Sequence, residues 1–144
     1  MPRKKSPDAP PDNETLGRLY SLLVRLVSPL PPVPVQGVDF IALIRPEDIA
    51  FITPEKRGVK IIDREGKSWP RFDNITKITK RLEADPRFFK AHRAYLVNVE
   101  LVRAIKVGSG AKAPGKVFFR DLPDDLFAEI SEDALPALKK RLGF

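Results

Sequence analysis

The side chains of this chain best suited to chemistry are bases gathered round one imidazole. Between Asp85 and Asn98, Arg87, Lys90 and Arg93 stand among Phe88, Phe89 and Tyr95, with His92, the only histidine of the chain, in their midst. His92 has no cysteine, second histidine or nearby pair of carboxylates to help it bind a metal or activate a nucleophile. Its first expectation is packing and hydrogen bonding within the domain, with ligand contact as the alternative. Asp121, Asp124 and Asp125 form an acidic cluster, but their spacing fits no calcium loop, so a solvated loop is the default. There is no phosphate-cradling glycine loop and no Gly-x-Ser-x-Gly elbow. We therefore expect neither an enzyme nor a metal or other cofactor. What remains is recognition by charge: an arginine is permanently ionised and offers a rigid fork of donors, and a lysine offers a mobile point charge.

The distribution of charge strengthens that reading. The 144-residue chain carries a net +7, yet residues 1–49 hold 6 bases and 6 acids, residues 50–116 hold 16 bases and 7 acids, and residues 117–144 hold 4 bases and 6 acids. The excess sits mid-chain, where it would attract a polyanion and speed encounter. A merely lysine-rich surface is the bland alternative. With no cysteine, disulfides and thiolate metal sites are excluded, which fits a reducing, cytoplasmic setting. No apolar run approaches membrane-spanning length, and the basic start Met1-Pro2-Arg3-Lys4-Lys5 leads into no hydrophobic segment with a cleavage site, so neither membrane insertion nor a signal peptide is expected.

Several elements must position these bases. Residues 1–12 read as a disordered basic, proline-rich tail. Residues 13–28 read as an amphipathic helix capped by Asn13, with Leu16, Leu19, Tyr20, Leu23, Leu26 and Val27 along one stripe. That stripe either folds back on its own domain or serves a homodimer or a regulatory protein partner. Residues 29–35 form a proline-rich linker. The domain proper, 36–144, turns β-rich. Strands are expected over Val38–Ile44, Ile49–Ile52, Val59–Ile62, Ser68–Phe72, Phe88–His92, Leu101–Val107, Lys116–Arg120 and Leu126–Ile130. Pro46–Asp48 makes a short turn, residues 54–58 a polar loop, and Arg64–Lys67 a hairpin turn. Asp73 or Asn74 caps a helix bearing Ile75, Ile78 and Leu82, and Ser131 caps a last helix bearing Leu135, Leu138 and Leu142. Asn98 is expected to satisfy turn backbone groups with its amide, and Trp69 to be half-exposed.

The string Phe89-Lys90-Ala91-His92-Arg93-Ala94-Tyr95-Leu96-Val97-Asn98 resembles the F-x-x-H-R-S-Y-L-V-N signature of the LytTR family, the DNA-binding output domain of many bacterial response regulators. Ala94 replaces the usual serine. The likeness extends over roughly residues 36–142: Glu47-Asp48-Ile49-Ala50-Phe51-Ile52, then Val59 to Asp63 with Glu65-Gly66-Lys67, then Ile75 to Leu82, and finally Val102 and Ile105. It implies a mostly β, α+β fold, an elongated arrangement of small antiparallel sheets with short helices and no helix-turn-helix. It also implies a transcriptional regulator binding double-stranded DNA, with loops entering successive major grooves.

The resemblance points to three DNA-contacting regions. The first is the loop holding Lys56 and Arg57. The second is Arg93, whose fork matches guanine O6 and N7. The third is the start of the last helix, where the family usually has an arginine after a serine; this chain has Ser131-Glu132. An acid there repels phosphate, or else accepts a hydrogen bond from cytosine N4. Ser131, Glu132 and His92 are thus second-rank candidates. Lys90, Lys106, Lys112 and Lys116 are expected to neutralise phosphates, which adds affinity without sequence information. For Arg93 the alternative is a surface ion pair with Asp85 or Glu100. No room is seen for a phospho-receiver domain, so control is expected from abundance, from the 13–28 helix or from a partner. Glu132 and the acidic last third leave a second reading open, a protein-interaction module on the same fold with weak DNA binding. Non-specific RNA or single-strand binding is a third, and it needs exposed aromatics on a basic face.

Overall fold

Short runs of β-branched and aromatic residues, punctuated by glycine, proline and aspartate, give strands joined by tight turns. The computed structural model describes residues 15, 16, 18, 19, 30–109 and 113–144. Its strands fall in three antiparallel sheets. β1 (Val33–Gln36) pairs with β2 (Ile41–Ile44). A five-stranded sheet contains β3 (Ile49–Glu55), β4 (Gly58–Asp63), β5 (Ser68–Arg71), β6 (Phe88–His92) and β7 (Tyr95–Asn98), in the order β5-β4-β3-β7-β6. A three-stranded sheet contains β8 (Val102–Lys106), β9 (Gly115–Phe119) and β10 (Phe127–Ile130), in the order β10-β9-β8. Two helices complete the domain, α1 (Ile75–Leu82) and α2 (Leu135–Arg141). The expected class, mostly β with small antiparallel sheets and short helices, is the class observed.

The centre of the five-stranded sheet is buried on both faces, while its edge strand β5 holds no buried residue. Ile52, Ile61 and Leu96 join Val33, Val35, Ile78 and Leu82 in one core beneath α1 and the β1–β2 hairpin. Their chain neighbours Phe51, Ile62 and Val97 point the other way, into a second core with Val117, Phe119, Ala128 and Leu138 from the three-stranded sheet and α2. Strands covered on both faces read as continuous apolar runs rather than alternating ones, as Ile49-Ala50-Phe51-Ile52 does. Phe51 stacks on Phe119 with ring centroids 4.9 Å apart, linking the two sheets.

Several expected boundaries move. The proline-rich linker ends early, because Val33–Gln36 is a strand; Pro34 sits in a two-stranded sheet, where a missing donor is tolerated. The strand expected from Val38 starts only at Ile41, after a turn closed by the Gly37 N–H donating to Phe40 O at 2.9 Å. β3 runs on through Pro54 to Glu55, so the loop of residues 54–58 shrinks to the two residues Lys56 and Arg57. Pro54 fits because the β3–β7 pairing covers only Phe51 and Ile52, leaving that edge of β3 without a partner strand at residue 54. The signature string, expected to hold one strand, holds two: β6 and β7 with a two-residue turn between His92 and Tyr95. β8, β9 and β10 differ from expectation by a residue or two at their ends. Asn74 caps α1, its Oδ1 accepting from Lys77 N at 2.8 Å. Of the helix expected over residues 13–28, positions 15, 16, 18 and 19 are helical; the rest of it, and the 1–12 tail, lie outside the described residues.

Polar anchors hold the entry and exit of the signature. Asp85 is buried and paired with Arg87 at 2.6 Å, and its Oδ1 also accepts from the Arg87 N–H at 2.9 Å. The Asp85 hydrogen bond raises the Arg87 guanidinium above its ordinary value, against the lowering effect of burial. The sign places this stabilisation below the ordinary arginine value, and it is lost only as pH climbs through the raised one. Asn98, also buried, donates from Nδ2 to Ile49 O at 2.9 Å and accepts at Oδ1 from Glu100 N at 3.0 Å. Its amide thus satisfies backbone groups, as expected. Trp69 is half-buried; its Nε1 donates to Asp63 at 2.9 Å, and Lys67 lies over its ring.

Candidate nucleic-acid interface

Two-residue turns fix the backbone that carries their side chains, because strand pairing holds it on both sides. Lys56 and Arg57 occupy such a turn: Glu55 pairs with Gly58 across it, and Gly58 takes φ +116°, a conformation that glycine adopts without strain. Arg93 and Ala94 occupy another, between the paired residues His92 and Tyr95. Lys56, Arg57 and Arg93 are all exposed, and among the described residues neither Arg57 nor Arg93 has an ion-pair partner. The alternative pairing of Arg93 with Asp85 is replaced by the pair of Asp85 with Arg87.

Strand register brings the two turns together. β3 and β7 are neighbours, with Phe51 opposite Val97 and Ile52 opposite Leu96. Continued along both strands, that register sets Glu55 opposite Arg93, so both turns leave the same end of the sheet. The third candidate region joins them: the Ser131 N–H donates to Ala91 O at 2.8 Å, two residues before Arg93. Ser131 Oγ accepts from Ala134 N at 3.2 Å, capping the turn that leads into α2, whose first helical residue is Leu135. Glu132, beside it, is exposed.

His92 shapes its own turn. Its Nδ1 accepts from the Ala94 N–H at 3.2 Å and its ring meets Tyr95 edge-on, centroids 5.7 Å apart. Both contacts lie within the domain. Lys90 and Lys106 are exposed. Lys116 is half-buried, its ammonium 4.5 Å above the Phe127 ring, opposite Lys106 on one neighbour strand and Glu129 on the other. Lys112 lies outside the described residues. The connector from β8 to β9 still adjoins Ser131 and Glu132, since Val107, Gly108 and Pro114 share a small recess with them.

The structure adds Lys60 to this end. It pairs opposite Thr53 near the Lys56–Arg57 turn and reaches Glu55 at 3.8 Å. Only the β3–β4 register reveals its place, and no spacing in the sequence signals it. Among the described residues no group of three or more His, Cys, Asp or Glu could hold a metal ion, and no helix is long and apolar enough to cross a membrane.

Known proteins bear on this geometry. The sequence model of the LytTr DNA-binding domain matches residues 39–143. Transcriptional regulatory protein BtsR of Escherichia coli K12, and that of Shigella flexneri, are 29% identical over 124 residues, which is 85% of this chain and 48% of theirs. BtsR of Salmonella typhi is 28% identical over the same length. The chain therefore spans about half the length of the curated relatives it matches. Among solved structures, the LytTr DNA-binding domain of a Bacillus cereus response regulator superposes with a TM-score of 0.62 at 15% identity, covering 79% of this chain and 98% of that one; this likeness concerns the fold.

Proposed function

The chain belongs to the LytTr DNA-binding domain family, and from that premise we propose that it is a bacterial transcriptional regulator reading duplex DNA by sequence. In this reading the Lys56–Arg57 turn and the Arg93–Ala94 turn enter the major groove. Arg93 takes guanine O6 and N7 with its fork, while Lys90, Lys106, Lys112 and Lys116 neutralise phosphates. The observation that supports it best is the register of β3 against β7, which projects both basic turns from one sheet end beside Ser131.

Arg93→Ala should weaken binding by about 1–3 kcal/mol and relax preference at one base pair. Lys112→Ala should instead weaken all duplexes alike and flatten the dependence of log affinity on log salt by about 0.9 if one phosphate contact is lost. Fluorescence anisotropy over a salt series, with fragments selected from genomic DNA, separates the two. An Arg93→Ala protein that keeps both affinity and preference removes this residue from the recognition scheme.

One observation favours a second reading, a protein-interaction module with weak DNA affinity. Glu132 and Asp133 are exposed at the sheet end that carries the basic turns. Glu132→Arg decides. A duplex preference present in the unaltered chain and shifted by the substitution supports recognition at this position, whereas DNA binding that exists only in the variant supports the module.

A further inference from the structure

A second surface lies along the other sheet. β8 is an edge strand of the three-stranded sheet, hydrogen-bonded to β9 alone, so one row of its backbone donors and acceptors lacks a partner strand. Between this strand and α2 runs a cleft of about 410 Å³. The half-buried Val102, Ile105, Leu135 and Leu142 form its apolar floor, and the exposed Arg120 and Lys139 stand beside them with Arg103, whose charge is met by Asp124 at 2.6 Å. Among the described residues neither Arg120 nor Lys139 has an ion-pair partner. No acid lines the cleft.

We propose that this cleft receives an extended acidic segment of a partner protein by strand addition to β8. Edge-strand backbone supplies affinity in such pairing, and pockets for alternate side chains supply selectivity. Along the face of the incoming strand turned toward the cleft, an apolar side chain fills the floor, and carboxylates two residues before and after it meet Arg120 and Lys139. Charge disfavours a second copy of β8 as the occupant. Antiparallel pairing of two copies centred on Ala104 and Ile105 would set Arg103 opposite Lys106, and like charges directly opposed destabilise a sheet. The same charges guard the edge against promiscuous pairing and select for an acidic strand.

The test uses the full chain and a fluorescent, end-blocked eight-residue peptide whose cleft-facing positions read glutamate, valine, glutamate, with threonine at the positions between them. Its comparators are the same peptide with lysine for glutamate and an alternately N-methylated version that cannot donate to a strand edge. The acidic peptide should bind at least about tenfold more tightly than either comparator, and the double variant Arg120→Glu, Lys139→Glu should lose about tenfold in affinity. Backbone amide resonances that shift on binding should be those of residues 102–107 and 135–142. If the double variant fails to fold, Lys139→Glu alone, with the same expected loss of affinity, and the resonance map decide the matter. Equal binding of the lysine or N-methylated peptide overturns the proposal. So do resonance shifts centred on Arg57 and Arg93, which would mean that the peptide mimics nucleic acid at the basic turns; that result would leave the DNA-binding reading standing.

Discussion

Phe119→Ala should cost the domain about 3–5 kcal/mol, a large share of the about 5–15 kcal/mol by which whole domains are stable. Phe119 is fully buried at the contact between the three-stranded and five-stranded sheets, where it stacks on Phe51 with ring planes 13° apart. Truncation removes the transfer free energy of the ring and leaves a cavity between two sheets, which cannot collapse as freely as a loop. The stacked pair adds about 0.5–1.5 kcal/mol beyond area burial. Urea unfolding followed by circular dichroism measures the loss as a shift in midpoint at constant slope. Phe119→Leu should recover more than half of it. A Phe119→Ala protein destabilised by less than about 1.5 kcal/mol, below the usual range for such truncations, would contradict the role assigned to the stack.

Asn98→Leu should be nearly as damaging for a different reason. The side chain is of similar size, so no large cavity forms, yet two backbone groups lose their partners. Ile49 O loses the Nδ2 donor at 2.9 Å and Glu100 N loses the Oδ1 acceptor at 3.0 Å, both at a residue only 1% exposed. Each buried polar group left unsatisfied costs about 1–3 kcal/mol, so about 2–6 kcal/mol is expected in all. The damage should be local first. Hydrogen exchange at the Glu100 amide should accelerate more than at core amides of β4. Uniform acceleration throughout the domain would mean that Asn98 acts through global stability alone.

The signature residues were the most legible part of the chain. Phe88 to His92 forms the predicted strand, Asn74 caps its helix and Asn98 binds backbone, whereas Ser131 closes the turn before the last helix, whose N-cap is Ala134. The boundaries that failed share a physical cause. Tyr95-Leu96-Val97-Asn98 becomes a central strand because β3 and β6 cover both its edges and two cores cover both its faces. Such a strand shows no alternation to read. Pro34 and Pro54 argued for a linker and a loop, but each sits where one strand edge needs no donor, and only tertiary pairing reveals that. The candidate bases were legible as types and as a mid-chain excess of charge. That Lys56, Arg57 and Arg93 leave one sheet end beside Ser131 was not, because it depends on the β3–β7 pairing across more than forty residues and on the bond from Ser131 to Ala91. The same contacts place Glu132 at that end, where the resemblance leads one to expect a base.

The brevity of the two basic turns has a kinetic consequence. With only Lys56 and Arg57 between one strand pair, and Arg93 and Ala94 between another, the main chain beneath these guanidiniums is set before any partner arrives. Engagement then freezes side-chain rotamers alone, at about 0.5–1.5 kcal/mol each. Association should therefore proceed in a single phase limited by diffusion and orientation, quickening as ionic strength falls. If these turns read duplex DNA as proposed, good and poor target sequences should be captured at nearly equal speed and differ in how long they are held.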